Sequence, residues 1–281
     1  MTLGVSMRIM ISASGMTVQG GTRMKVIIIG AGRGQRLGPY TSERPKCQVE
    51  VGGRPILDWI LEAFRAFGLD EFVFVGGYRI ESVRRSYPRL TYVENHDWET
   101  NNILLSLFCA EEHMDGGFYC CYADTILHAR LLAPLVEAPG AVTLSVDTSW
   151  NERHQARPAA YDAHVEACYV EGDRVLRIRR VIPPGDAFGE FTGIARFTAE
   201  GAELWREAFA AARASYGGRP FHHAAAFETA YLVDLLQEMI DRGQRVGYAA
   251  SHGGYAEIDT VEDYELANRF WARQLEGPGG E

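Results

Sequence analysis

Three glycines and four charged side chains are the residues of this chain whose types and spacing best suit chemistry. Gly30, Gly32 and Gly34 alternate directly after the apolar run Val26–Ile29, and Arg36 and Lys46 follow within one loop's reach. Alternating glycines let the backbone take positive φ and let bare amides approach a ligand. Cations beside such amides make a site for a polyphosphate. Spacing excludes the two commonest versions. A dinucleotide fingerprint needs glycine at its sixth position, which counting from Gly30 is Gln35. A Walker loop needs Gly-Lys-Ser/Thr, whereas Lys46 lies twelve residues beyond Gly34 and behind Pro45. What remains is G-x-G-x-x-x-R-L followed by Pro-Lys. Asp124 and Asp259 stand at the ends of later apolar runs, although each also reads as the N-cap of a following helix.

The elements that must position these residues alternate in the first half. Val26–Ile29, Phe72–Val75, Leu90–Val93, Phe118–Tyr122 and Val142–Val146 read as buried strands. Helical spacing runs over 56–67, 80–87, 104–113 and 126–137 between them. That order predicts an α/β fold, a Rossmann-like, mostly parallel sheet flanked by helices. From Trp150 the pattern changes. Val165–Val170 and Arg174–Arg179 flank the turn signal Glu171-Gly172-Asp173, which predicts a β-hairpin. A strand over 191–197, helices over 199–216 and 224–242, short strands over 246–249 and 255–258, and a last helix over 261–275 follow.

The glycine-arginine pattern with Pro45-Lys46 resembles the signature of nucleotidyltransferases of the sugar-nucleotide pyrophosphorylase superfamily. Tyr122-Ala-Asp124 resembles that family's acidic motif, and Glu257-Ile-Asp259-Thr its later one. The segments Thr100–Leu107 and Gly189–Phe197 resemble those of the branch holding bacterial phosphocholine and small-phosphonate cytidylyltransferases. The resemblance runs from about Met24 to Trp271. It implies transfer of CMP from CTP to a small phosphorylated alcohol or phosphonate, with Mg²⁺ and release of pyrophosphate. Carried over by position, Gly30, Ala31, Gly32, Gly34, Gly77, Asn95 and Asn101 would hold the nucleotide. Arg36 and Lys46 would be catalytic, and Asp124 and Asp259 would bind Mg²⁺. Trp150, Arg157, Glu166 and Glu190 would meet the acceptor. One departure stands out. Where the aminoethylphosphonate enzymes carry Glu-Lys-Val, this chain reads Val165-Glu166-Ala167-Cys168, which removes an acceptor-side cation for which Arg153, Arg157 or Arg179 could substitute. Two other readings stay open: a sugar 1-phosphate nucleotidyltransferase using UTP, dTTP or GTP, and a non-catalytic nucleotide-sensing domain.

Bulk properties narrow the partners. A net charge of −9 with no stretch rich in Lys and Arg argues against nucleic acid, so an anionic substrate must be met by local cations. Five cysteines without C-x-x-C spacing imply neither zinc nor a disulfide framework and fit a reducing cytoplasm. No run reaches the ~18 apolar residues of a membrane span. Residues 1–23 read as a disordered extension, and 24–275 as one domain with a nucleotide half (24–148) and an acceptor-side half (149–275). A homodimer is left open. Cys120-Cys121 reads as buried and inert, and His222-His223 as an ordinary loop.

Overall fold

The first strand sets the layering. In β1 (Lys25–Gly30), Val26 and Ile28 enter one apolar layer while Ile27 and Ile29 enter the other, the period-two pattern of a strand covered on both faces. The computed structural model describes residues 24–155, 165–181 and 185–275, so the expected extension at 1–23 and Arg157 lie outside the described residues.

After the glycine loop, β2 (Glu50–Val51) and β3 (Arg54–Pro55) form a small ribbon leading into α1 (Ile56–Arg65). That helix buries Ile56, Leu57, Trp59, Ile60, Leu61 and Phe64 against one face of the sheet. Truncating Phe64 to alanine would cost about 3–5 kcal/mol. The alternation continues through β4 (Phe72–Gly76), α2 (Ile80–Ser86), β5 (Thr91–Glu94), α3 (Ile103–Phe108) and β6 (Gly117–Tyr122). Next come β7 (Thr125–Leu127), α4 (Ala129–Glu137), β8 (Val142–Asp147) and α5 (Trp150–Gln155). The hairpin of β9 (Val165–Glu171) and β10 (Arg174–Val181) follows, then β11 (Gly189–Thr198), α6 (Ala199–Tyr216), α7 (Leu232–Asp241), β12 (Gly247–Ser251), β13 (Tyr255–Glu257) and α8 (Val261–Leu275). Helices α6 and α7 cover the second face with Trp205, Phe209, Leu235, Leu236 and Met239. No described helix is long and apolar enough to cross a membrane.

Three helical expectations change. The segment 104–113 stops at Phe108 and closes through a single 3₁₀ turn, Glu111–His113. The segment 126–137 opens as strand β7, because Thr125–Leu127 pair with Tyr255–Glu257. The segment 224–242 is α-helical only from Leu232, after a single 3₁₀ turn over Phe227–Thr229. Before it the chain forms turns whose backbone is bonded to the start of α3, with the Asn102 and Leu104 amides donating to the Glu228 and Ala230 carbonyls.

The main sheet also needs a correction. It runs β5-β4-β1-β6-β11-β8-β12-β10-β9, and it is mixed rather than mostly parallel. Strands β5, β4, β1 and β6 are mutually parallel, but β11 lies antiparallel between β6 and β8. The physical reason is the connection: β11 arrives from a hairpin, not from a helical crossover, so its direction is free to reverse. Its first residues also pair with β9, which closes β11, β8, β12, β10 and β9 into a ring. The strand ends Gly30 and Tyr122 open on the same side, in parallel register. Ligand crevices of parallel sheets form there.

Candidate active site

The glycine loop presents its cations through tight local geometry. Gly34 sits at φ 69°, ψ 47°, a left-handed conformation that glycine takes without strain. A Cβ at this position would stand 3.1 Å from the Lys46 side chain, so the turn also lets Lys46 lie against it. Thr41 Oγ1 donates to the Gly34 carbonyl at 2.9 Å, and the Tyr78 hydroxyl donates to the Ser42 carbonyl at 2.7 Å. Pro45, at φ −67° and ψ 154°, delivers an extended chain to Lys46. Gly30 and Gly32 have no positive φ; Gly30 is small because Phe74 and Ala123 press on it.

The two aspartates meet, although they are far apart in sequence. Strand β13 pairs antiparallel with β7, and the Ile258 amide donates to the Asp124 carbonyl at 2.9 Å. Neither aspartate is a helix cap. Asp124 precedes a strand. The start of α8 is closed by Thr260 and Asp263: the Thr260 amide donates to Asp263 Oδ2 at 2.9 Å, and the Asp263 amide to Thr260 Oγ1 at 3.2 Å. The Asp259 carboxylate is thereby left to the cleft. Lys46 Nζ donates to Asp124 Oδ2 at 2.8 Å and to Asp259 Oδ1, while Arg36 Nη2 donates to Asp259 Oδ2 at 2.7 Å.

Electrostatics follow from that packing. Burial alone would lower the Lys46 pKa, but the charges of Asp124, Asp259 and Glu257 outweigh it and hold the ammonium above the usual lysine range. Burial would raise Asp259, yet Lys46 and Arg36 hold it below the ordinary carboxylate range. Glu257 goes the other way, pushed well up by burial and by the two aspartates. Oxygens of Asp124, Glu257 and Asp259 lie within 4.8 Å of one another. Among the described residues, Asp124 Oδ1 is buried with no hydrogen-bond partner. Three convergent carboxylates, one with an orphaned oxygen, are the hard donor set that Mg²⁺ takes. The Cys47 thiol beside Lys46 is pushed up to about 12 by burial and is no nucleophile at neutral pH.

Two cavities share this cluster as a common wall. The first, of about 320 Å³, is lined by Gly30, Ala31, Gly32, Gly34, Lys46, Trp98, Asn101 and Ser106. The second, of about 270 Å³, is lined by Tyr122, Glu166, Arg180, Glu190, Phe191, Thr192, Gly193, Tyr231, Tyr255 and Glu257. Arg36, Asn102, Ile103, Asp124 and Asp259 line both.

Several expected residues stand elsewhere. Asn95 is buried behind Asn101: the two side-chain amides donate to one another at 2.8 and 3.0 Å, and Asn95 also donates to Ser106 Oγ at 2.9 Å. Gly77 lies beneath the Trp98 ring, where a Cβ would come within 2.6 Å. Trp150 packs against Val165 and Ala167 in a separate apolar cluster, so it lines neither cavity. Arg179 lies 5.8 Å from the Tyr169 ring and lines neither cavity, whereas Arg180 lines the second. Sequence reasoning missed Arg180, Glu257, Tyr231 and Tyr255. For Glu257 a signal existed: it sits two residues before Asp259 on an extended segment, which brings alternate side chains to one side.

A family model described as the MobA-like NTP transferase domain matches residues 26–252, and the chain belongs to that family of nucleotidyltransferases. Over 254 residues it is 24% identical to the CTP:phosphoglutamine cytidylyltransferase of Campylobacter jejuni, covering 86% of this chain and 98% of that one. Over 124 residues it is 34% identical to the CMP-5'-(3-aminopropyl)phosphonate synthase of Streptomyces rubellomurinus, covering 42% of this chain and 20% of that one. The solved structure of the CTP:phosphocholine cytidylyltransferase of Streptococcus pneumoniae matches with a TM-score of 0.67 at 22% identity, covering 89% of this chain and all of that one. At that identity the likeness bears on the fold.

Proposed function

We propose that this member of the MobA-like NTP transferase family transfers CMP from CTP to a small acceptor bearing a phosphate or phosphonate, releasing pyrophosphate. One observation carries the reading: Arg36, Asp124 and Asp259 line both of two adjoining cavities, one of them edged by the glycine loop, and Lys46 bonds to both aspartates from that side. Two substrates entering from opposite sides would present their reacting ends to that common wall. The cytidylyl chemistry of the relatives named above supports CTP as donor and phosphate or phosphonate acceptors.

In this reading the triphosphate lies along Gly30–Gly34, with backbone amides and Arg36 against its oxygens. An acceptor oxygen forms the new bond to the α-phosphorus. The bond from that phosphorus to the bridging oxygen breaks, and its electron pair leaves on pyrophosphate. A phosphate or phosphonate oxygen is already anionic near neutral pH, so the chain needs no general base and no covalent intermediate. Lys46 stays charged because its neighbours raise its pKa, and it offsets charge at the α-phosphorus. Mg²⁺, held by Asp124, Asp259 and Glu257, would supply Lewis-acid neutralisation of the phosphate oxygens. Retention of this whole cluster favours catalysis over nucleotide sensing.

Pyrophosphate release across CTP, UTP, dTTP and GTP, each with ethanolamine phosphate, choline phosphate, 2-aminoethylphosphonate and glucose 1-phosphate, tests the reading. CTP with a phosphate or phosphonate amine, and loss of turnover in EDTA restored by added Mg²⁺, is the expected pattern. Turnover confined to a sugar 1-phosphate with another nucleotide would replace it.

A further inference from the structure

The second cavity holds two opposite charges that do not neutralise each other. Glu166 on β9 and Arg180 on β10 are cross-strand partners, the commonest place for an ion pair in a hairpin. Among the described residues, no ion pair closes between them. The Arg180 guanidinium instead lies 3.8 Å from the centroid of the Tyr231 ring, and its Nε is buried with no hydrogen-bond partner. The Glu166 carboxylate accepts from the Tyr122 hydroxyl at 3.2 Å. Nearby, Glu190 accepts from Tyr255 at 3.1 Å, so tyrosines orient both acids towards the same space. Burial pushes Glu166 up to about 7 although Arg180 opposes the shift, the signature of a carboxyl short of positive charge.

A ligand portion that answers both groups must itself carry a cation with N–H donors and a planar anion. The transferred phosphate is already accounted for at the shared wall, beside Lys46 and Arg36. We propose that the acceptor carries an α-amino acid head, with Arg180 binding its carboxylate and Glu166 its ammonium. This deepens the cytidylyl-transfer reading and rests on it. A guanidinium takes a carboxylate in a two-pronged, charge-assisted bond. The ring face of Tyr231, which would otherwise suit a trimethylammonium group, is covered by Arg180.

The test uses two matched pairs of acceptors that differ only by the carboxylate: O-phosphoserine against ethanolamine phosphate, and 2-amino-4-phosphonobutyrate against 3-aminopropylphosphonate. Pyrophosphate release with CTP and Mg²⁺ gives kcat/KM for each. Calorimetric binding of the same four compounds to the CTP-loaded protein gives an answer independent of turnover. At the better-fitting length the amino acid should be favoured at least about tenfold, the worth of one charge-assisted bond. Arg180→Met should bring that ratio to about one, and Arg180→Lys should restore part of it. Glu166→Gln should weaken both members of the pair. CTP binding by each variant reports that it is folded. Equal use and equal binding within both pairs overturns the proposal. So does an Arg180→Met variant that loses both members alike, since Arg180 would then serve the phosphate. Differential binding without pyrophosphate release would sustain the head-group assignment and sink the transfer reading instead.

Discussion

The two cavities differ in how the chain builds them. The glycine-side cavity draws most of its wall from Ile29–Cys47 and Trp98–Ser106, two stretches set by short turns and a parallel β-α-β unit. The other takes one residue each from β6, β9, β10 and the turn before α7, two from β13 and a run of four from β11. Local chemistry shapes the first, while register between distant strands shapes the second. One can therefore vary while the other stays fixed.

The largest test removes the cation that bonds both aspartates of the wall the cavities share. Lys46→Met should lower kcat/KM by about 10²–10³ for every acceptor, the usual loss when one transition-state charge partner is deleted. A loss confined to one acceptor would break the idea of a common wall. Next in size is Gly193→Ala in the second cavity. Gly193 sits at φ +75° inside the irregular stretch of β11, and a Cβ there would come within 2.4 Å of the Tyr122 ring. Unfolding experiments should show a cost of about 2–3 kcal/mol. In kinetics, the KM for acceptor should rise more than the KM for CTP.

A pH experiment sharpens the contrast further. Glu166 is held near 7 against an ordinary 4.5, so the folded chain keeps a proton that the unfolded chain has lost. The associated stability is fully present below about pH 4.5 and is lost as pH rises through about 7. Glu166→Gln removes that slope. Thermal melts should show the variant gaining on the order of 2 kcal/mol over wild type near pH 8 and nothing near pH 4. Identical slopes would mean that Glu166 is not the group. Smallest is Thr260→Ala, which deletes the cap of α8 for about 1 kcal/mol. Melting should register that cost, with a modest fall in kcat because Asp263, which accepts from the Asp259 amide at 3.1 Å, loses its Thr260 partner.

Legibility follows the same division. The glycine loop, Arg36, Lys46 and both aspartates could be read directly because each lies at a strand end or in a contiguous motif. Whether the aspartates met could not, because β7 was hidden in an apolar run with helical spacing, and only its pairing with β13 makes it a strand. The mixed sheet was hidden for a related reason: nothing in β11 itself states which neighbours it will take. Arg180 shows the limit most sharply. Counting back from the hairpin turn puts Arg179 opposite Glu166. A one-residue irregularity between Val175 and Arg177 moves the register, so Arg180 takes that place and Arg179 lies near Tyr169. In sequence Asn95 and Asn101 show no visible difference in role, and burial alone reveals that one holds the other.

The bond from Lys46 to Asp259 spans 213 residues. During translation, at ~5–20 residues per second, the acid emerges about 10–40 s after the lysine. A nascent chain can therefore finish its glycine turn and first strands long before it owns a complete reaction centre. Ribosome stalling or truncation upstream of β13 would leave the glycine-side cavity without Asp259, and the carboxylate cluster without Glu257.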